Sequence, residues 1–249
     1  MTRPGFAARL RAGETLFGAW CSLPGTGPAE LLAAGGVDYV VVDLQHGLVS
    51  EGDLPALFLA IEARGAAPLA RVLANDPVAI GRALDLGAHG VVVPSVDSAE
   101  QAASAVSASR YPPRGTRGFG PMRAPLTLGA NAFEDVAVIV QIESAAAVER
   151  VPDIAGVDGV AALYVGPWDL SVSLGCPVPP DLDDIVLAGA IARVRAAADA
   201  AGLPAGVHSI RAAQAGRLAA AGWRLVNVAD DVTLLRDGVA AGLERVRPS

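Results

Sequence analysis

Short apolar runs alternate along this chain with longer Ala- and Leu-rich amphipathic segments. The apolar runs are FGAWCSL (17–23), DYVVVDL (38–44), PLARVL (68–73), GVVVPS (90–95), AVIVQIE (137–143), VAALYVG (160–166), PAGVHS (204–209) and RLVNVAD (224–230). Continuous Val-rich runs of this length read as strands buried on both faces. A helix-like segment follows each of them. Asp76-Pro77 opens one such helix with an N-cap and an N1 proline, and glycine closes most of the others. Eight strands and eight helices in strict alternation predict a parallel sheet covered by helices. In 249 residues that is the size of one (β/α)8 TIM-barrel domain. A doubly wound open sheet is the alternative, and it usually carries a Gly-rich phosphate turn after its first strand. Here that turn reads LPGTGPAE.

Residues 110–134 interrupt the alternation. This connection is too long for a compact domain and carries Arg110, Arg114, Arg117 and Arg123 together with Phe119 and Met122. An ordered lid or a subunit-contact loop is expected.

Composition narrows the function. The chain is 52% hydrophobic with a formal net charge of -7, and it has no basic stripe, which argues against a nucleic-acid partner. Cys21 and Cys176 form no C-x-x-C pair and read as reduced thiols. No apolar run reaches the ~18 residues of a membrane span, and the start MTRPGFAARLRAGETL has no signal-peptide core. A cytoplasmic protein without a membrane partner is expected.

In a barrel, chemistry gathers at the C-terminal ends of the strands. Those ends offer Trp20 and Ser22; Asp43, Gln45 and His46; Arg71; Gln141 and Glu143; Gly166, Pro167, Trp168 and Asp169; His208; Asn227 and Asp230. Each has a plainer explanation alone: Asp43 or Asp169 as a helix cap, Glu143 as the start of a helix, His46 as a structural imidazole. Convergence on one mouth weighs against all of these together. His89 precedes the fourth strand, lies at the opposite face and reads as structural.

Two carboxylates, Glu143 and Asp169, with Gln141 nearby suit a hard divalent ion that keeps open positions for substrate oxygens. A 2-oxo acid would fill those positions, with the ion as Lewis acid. Arg71 supplies positive charge where an enolate oxygen develops. His46, with an ordinary pKa near ~6.5, is the proton-transfer group, and Asp43 and Asp85 are candidates to orient it. The chain contains no lysine, so Schiff-base aldol chemistry is excluded.

These residues resemble the HpcH/HpaI family of metal-dependent pyruvate aldolases. The likeness runs through VVDLQHG (41–47), ARV around Arg71, RYPPRGTRGFG (110–120), VQIES (140–144) and VGPWDLS (165–171). It implies a barrel of the phosphoenolpyruvate/pyruvate type and a class II aldolase acting on pyruvate or hydroxypyruvate plus an aldehyde. It implies Mg²⁺, Mn²⁺ or Co²⁺ on Glu143 and Asp169, and Gln141 beside the donor. Arg71 would sit on the enolate oxygen, and His46 would be the base, oriented by Asp85 and supported by Asp43. The backbone N–H groups of Gly166 and Trp168 would bind the donor carboxylate, and Trp20 would be a pocket wall. It also implies a homo-oligomer, a hexamer or trimer, with the last helix exchanged between neighbours. Gln45, Trp168, GPMRAPLTLG and His208 depart from the family pattern and bear on the aldehyde half of the site. Oxaloacetate decarboxylation on the same residues is the nearest alternative. A phosphate-binding barrel is the more distant one, and it would need a Gly-rich loop after strands 7 and 8.

Overall fold

The computed structural model describes residues 5–129, 136–209 and 212–247. Eight parallel strands close into a barrel in sequence order: β1 (Leu16–Cys21), β2 (Tyr39–Asp43), β3 (Ala67–Arg71), β4 (Gly90–Val93), β5 (Ala137–Ile142), β6 (Ala162–Val165), β7 (Ala205–Val207) and β8 (Leu225–Asp230). The barrel expectation holds.

Strict helix alternation holds less well, because three helices were not expected. α1 (Phe6–Arg11) precedes β1. α2 (Thr26–Ala34), α3 (Leu54–Glu62), α4 (Pro77–Asp85) and α5 (Ala99–Ser109) are the crossovers that follow β1 to β4. α6 (Ala124–Leu128) lies within the long connection, and α7 (Ala145–Ala155) follows β5. α8 (Pro167–Leu174) comes between β6 and its crossover helix α9 (Ile185–Ala200). α10 (Ala212–Ala220) and α11 (Asp231–Val246) complete the chain; the expected start of α10 at residues 210 and 211 lies outside the described residues.

Alternation along each strand divides the core. Val40, Val42, Ala70, Val138 and Val140 face outward against the helices. Leu16, Tyr39, Val41, Leu69, Ile139 and Tyr164 face inward and fill the barrel. α1 plugs the N-terminal end with Phe6 and Leu10, Phe6 meeting Tyr39 edge-on at 5.5 Å. Two glycines make room for the tyrosines. A Cβ on Gly18 would sit 2.1 Å from the Tyr39 ring, and one on Gly206 would sit 2.5 Å from Tyr164.

The helix starts follow their sequences. Asp76 accepts from the N–H groups of Val78 and Ala79 ahead of Pro77, Ser98 caps α5, and Ser144 caps α7. Glu143 is therefore not the cap of the helix behind it.

The described part of the long connection, 110–129, packs across the N-terminal end of the barrel. Arg117 pairs with Asp85 at 2.6 Å, Arg123 pairs with Glu62, and the Arg123 N–H donates to the Asp85 carbonyl. Both acids close their helices at that end, so 110–129 cannot act as a lid over its own mouth. Residues 130–134 of the expected loop are not among those described. No helix among the described residues is long and apolar enough to cross a membrane.

Candidate active site

The inward ladder that fills the barrel turns polar at its top. On β2 the series Tyr39, Val41 ends at Asp43, and on β3 Leu69 is followed by Arg71. Asp43 and Arg71 are register partners on adjacent strands. They form a two-pronged ion pair, Nε to Oδ1 at 2.8 Å and Nη2 to Oδ2 at 2.6 Å, both side chains buried. Burial alone would raise the Asp43 carboxyl, but the Arg71 guanidinium outweighs it and holds the group below the usual carboxylate range. Asp43 Oδ1 also accepts from the backbone N–H groups of Gln45 and His46. The acid thereby fixes the turn that carries His46. Gly47 completes that turn, since a Cβ there would lie 2.2 Å from the Asp43 carbonyl. His46 stands exposed on the rim, its imidazole making no hydrogen bond to any described residue, and it lines the inner pocket.

β5 contributes Gln141 and, just beyond its end, Glu143, both buried. Glu143 Oε1 accepts from the Ser95 N–H at 2.7 Å and the Ser95 hydroxyl at 3.3 Å; Oε2 accepts from the Gln141 amide nitrogen. Burial pushes the Glu143 carboxyl up, and nearby Asp169 pushes it further, against the opposing pull of Ser95 and Arg71. Two carboxylates this placed repel one another in a poorly solvated site, a cost that a bound cation removes. Gln141 Oε1 is buried with no partner among the described residues. An unsatisfied oxygen beside two carboxylates is the donor set a hard cation takes. Among the described residues no group of three His, Cys, Asp or Glu side chains could hold a metal ion. The mouth brings the carboxylates of Glu143 and Asp169 near one another.

Gly166 and α8 form the opposite wall. A Cβ on Gly166 would lie 2.5 Å from the Gln141 amide and 2.9 Å from Glu143, so any side chain would invade the carboxylate site. One expectation needs correction here. The Gly166 N–H continues the sheet and donates to the Ile142 carbonyl at 3.2 Å, so it is not free for a substrate carboxylate. No side chain caps α8, and Pro167 at its start has no N–H. The N–H groups of Trp168 and Asp169 are left as open donors at a helix N-terminus, a natural anion site.

Trp20, 5% exposed, forms the aromatic wall. It stacks on Tyr164 at 5.8 Å, meets His208 edge-on at 5.0 Å, and has the Arg71 guanidinium 5.3 Å from its ring. Burial lowers the His208 pKa to about 4, which keeps the imidazole neutral. The Asn227 amide is satisfied when its nitrogen donates to the Gly18 and Ala229 carbonyls, and its oxygen then faces His208 Nε2, 3.5 Å away.

Two connected spaces result. The inner pocket, about 120 Å³, lies between Arg71, Gln141, Gly166, Asp169 and His46. The outer chamber, about 660 Å³, shares Trp20, Arg71, Trp168 and His208 with it and opens toward the start of α11.

The structure thus brings together Trp20, Asp43, His46, Arg71, Gln141, Glu143, Gly166, Trp168 and Asp169. Asp85 stays apart: it ends α4 at the far end of the barrel, bound to Arg117, and cannot orient His46 of its own chain. His89 also lies there, 3.2 Å from Glu62. Ser95 was not anticipated, although it follows β4, the one strand from which no mouth residue was taken. Its φ of 55° is the sole positive value outside glycine among the described residues, and such backbone often marks a functional position. Asp231 was also missed as a holder: its carboxylate takes the N–H groups of Ser22, Leu23 and Val232.

The HpcH/HpaI aldolase/citrate lyase family model matches residues 17–238. A hydroxypyruvate/pyruvate aldolase of Rhizorhabdus wittichii is 37% identical over 90% of this chain and 90% of its own. A 2-dehydro-3,6-dideoxy-6-sulfogluconate aldolase of Pseudomonas putida is 38% identical over 91% and 90%. Among solved structures, an HpcH/HpaI aldolase/citrate lyase family protein from Burkholderia cenocepacia superposes with a TM-score of 0.87 at 37% identity, covering 97% of this chain and 98% of that one.

Proposed function

The chain belongs to the HpcH/HpaI aldolase/citrate lyase family and is a carbon–carbon lyase, and from that premise we propose a divalent-metal-dependent aldolase. It cleaves or forms 4-hydroxy-2-oxo acids through the enolate of pyruvate or hydroxypyruvate. The observation that carries this reading is the meeting of Glu143, Asp169 and Gln141 with Arg71 around one small pocket.

Glu143 and Asp169 would hold the ion, Mg²⁺, Mn²⁺ or Co²⁺, with Gln141 beside the donor. Such an ion, when bound, draws electron density from a 2-oxo acid and acidifies its C3 protons. The remaining steps belong to the side chains. The open N–H groups of Trp168 and Asp169 receive the donor carboxylate. Arg71 spends Nε and Nη2 on Asp43, so the guanidinium is fixed in orientation and keeps Nη1 for the enolate oxygen as charge develops. His46 on the rim moves a proton to or from the acceptor oxygen. Among the described residues no acid hydrogen-bonds its imidazole, and Asp85, at the far end, would serve His46 only across a boundary between two copies, in a homo-oligomer. Trp20 closes the wall and limits water.

Oxaloacetate decarboxylation would run on the same residues, but departing CO2 has no use for the outer chamber, which suits an aldehyde. The test is exchange of the pyruvate methyl protons in D2O with Mg²⁺, Mn²⁺ or Co²⁺. Exchange well above an EDTA control is expected, and Glu143→Gln should bring it to the control level. Metal-loaded protein that exchanges no faster than the EDTA control would sink the reading.

A further inference from the structure

The outer chamber has a charge pattern that the donor chemistry does not use. We propose that it is the subsite for the acceptor aldehyde, and that it selects an uncharged, hydroxyl-bearing tail over one ending in an anion. This rests on the aldolase reading above and specifies its substrate class.

Continuity places the acceptor there. The chamber shares Trp20, Arg71, Trp168 and His208 with the inner pocket, so a carbonyl entering through it reaches the donor at those residues. Its other groups decide what the tail can be. Each cation that this chain's described residues place on the chamber wall is already matched. Arg71 is held in two bonds by buried Asp43, and Arg236 pairs with Asp237 at 3.2 Å. His208 is neutral, its pKa at about 4. Asp230 also lines the chamber and has no cation partner among the described residues, so the wall carries a surplus negative charge.

The two helix N-termini near the site sharpen the contrast. α8 begins with no capping side chain and presents open N–H groups. α11 begins between two acids: Asp230 accepts from the Thr233 N–H at 2.7 Å, and Asp231 accepts from Val232, Ser22 and Leu23. The first end can receive the donor carboxylate, while the second is already filled and offers no place for another anion. What remains suits a polyol. The exposed Trp168 ring offers a face to C–H groups, and the Ser22 and Thr233 hydroxyls line the space without a hydrogen bond to any described residue.

The experiment uses the intact metal-loaded enzyme, pyruvate as donor, and two acceptors of matched size. Glyceraldehyde and tartronate semialdehyde differ only in CH2OH against carboxylate. Initial aldol formation is followed for each and the ratio of kcat/KM values taken. Wild-type protein should favour glyceraldehyde by about tenfold or more, the scale of one unmatched charge across a partly solvated gap. Asp230→Asn keeps a capping side chain and should narrow the ratio at least ~3-fold. Asp237→Asn, on the exposed surface of α11, frees Arg236 and should narrow it in the same direction. Equal or faster use of tartronate semialdehyde by the wild type overturns the proposal, as does a ratio unmoved by both substitutions. The proton-exchange assay separates the two failures: without exchange the aldolase reading falls and this one with it, whereas exchange with the wrong acceptor preference removes this one alone.

Discussion

Asp43 and Arg71 show how one pair serves packing and chemistry together. A guanidinium inside a barrel needs a partner, and the register supplies it on the adjacent strand. Breaking the pair strands a charge. Asp43→Asn should cost about 2–4 kcal/mol in urea unfolding and reduce turnover by roughly 10²-fold or more. Arg71→Lys should do comparable harm to kcat, because lysine cannot hold two bonds to Asp43 and still present a donor to the pocket. His208 gives a prediction in pH. Its folded-state pKa of about 4 lies below the ordinary 6.5 because burial disfavours the charged ring. The unfolded chain therefore binds more protons between pH 4 and 6.5, so stability rises with pH through that window and is lost as pH falls through it. The full effect is of order 3 kcal/mol or less, since the ring is partly exposed. His208→Phe should flatten the unfolding free energy between pH 4.5 and 6.5; an unchanged slope would assign that dependence to other groups.

At the scale of elements, strand order and the direction of each helix decide which groups meet. The eight Val-rich runs were legible because a strand covered on both faces needs no alternation in its sequence, and Asp76-Pro77 announced α4 through its own capping chemistry. The mouth residues were legible for the same reason: polar side chains end apolar runs only where the barrel opens. That direction, which no residue type signals, sets Asp85 apart from the mouth. A crossover helix runs back to the N-terminal end, so its last residue shares the far face with His89, four positions on. α8 escaped notice because eight residues opening on the proline of a glycine-proline pair look like loop, and Ser95 because no periodicity marks a backbone strained into positive φ. The far face has its own cohesion. Glu62 joins His89 and Arg123, and Asp85 joins Arg117, pinning 110–129 to α3 and α4. Glu62→Gln should weaken that hold by about 1 kcal/mol and speed amide hydrogen exchange in 117–128, while the strands keep their protection.

For the whole molecule, α11 is the element a single chain does not explain. Only Asp231 at its start is buried; the rest of the helix, Val232, Leu235, Val239 and Val246 among it, stands exposed or nearly so. Those four recur at spacings of three, four and seven, one apolar stripe along a 16-residue helix. An isolated helix of that length is marginal in water, so this stripe needs a cover. A second copy of the chain is the cover consistent with the family resemblance, and only through such a copy could Asp85 serve His46. Leu235→Glu together with Val239→Glu places two charges in the stripe without touching the barrel. In light scattering the wild type should run as an oligomer, and the double variant should lose mass toward 25.1 kDa while keeping its far-ultraviolet circular dichroism. If turnover falls in parallel with mass, the acid for His46 comes from a neighbour. Full activity in a dissociated variant would mean that His46 works without Asp85, and a wild-type monomer would leave α11 to be covered by something other than its own kind.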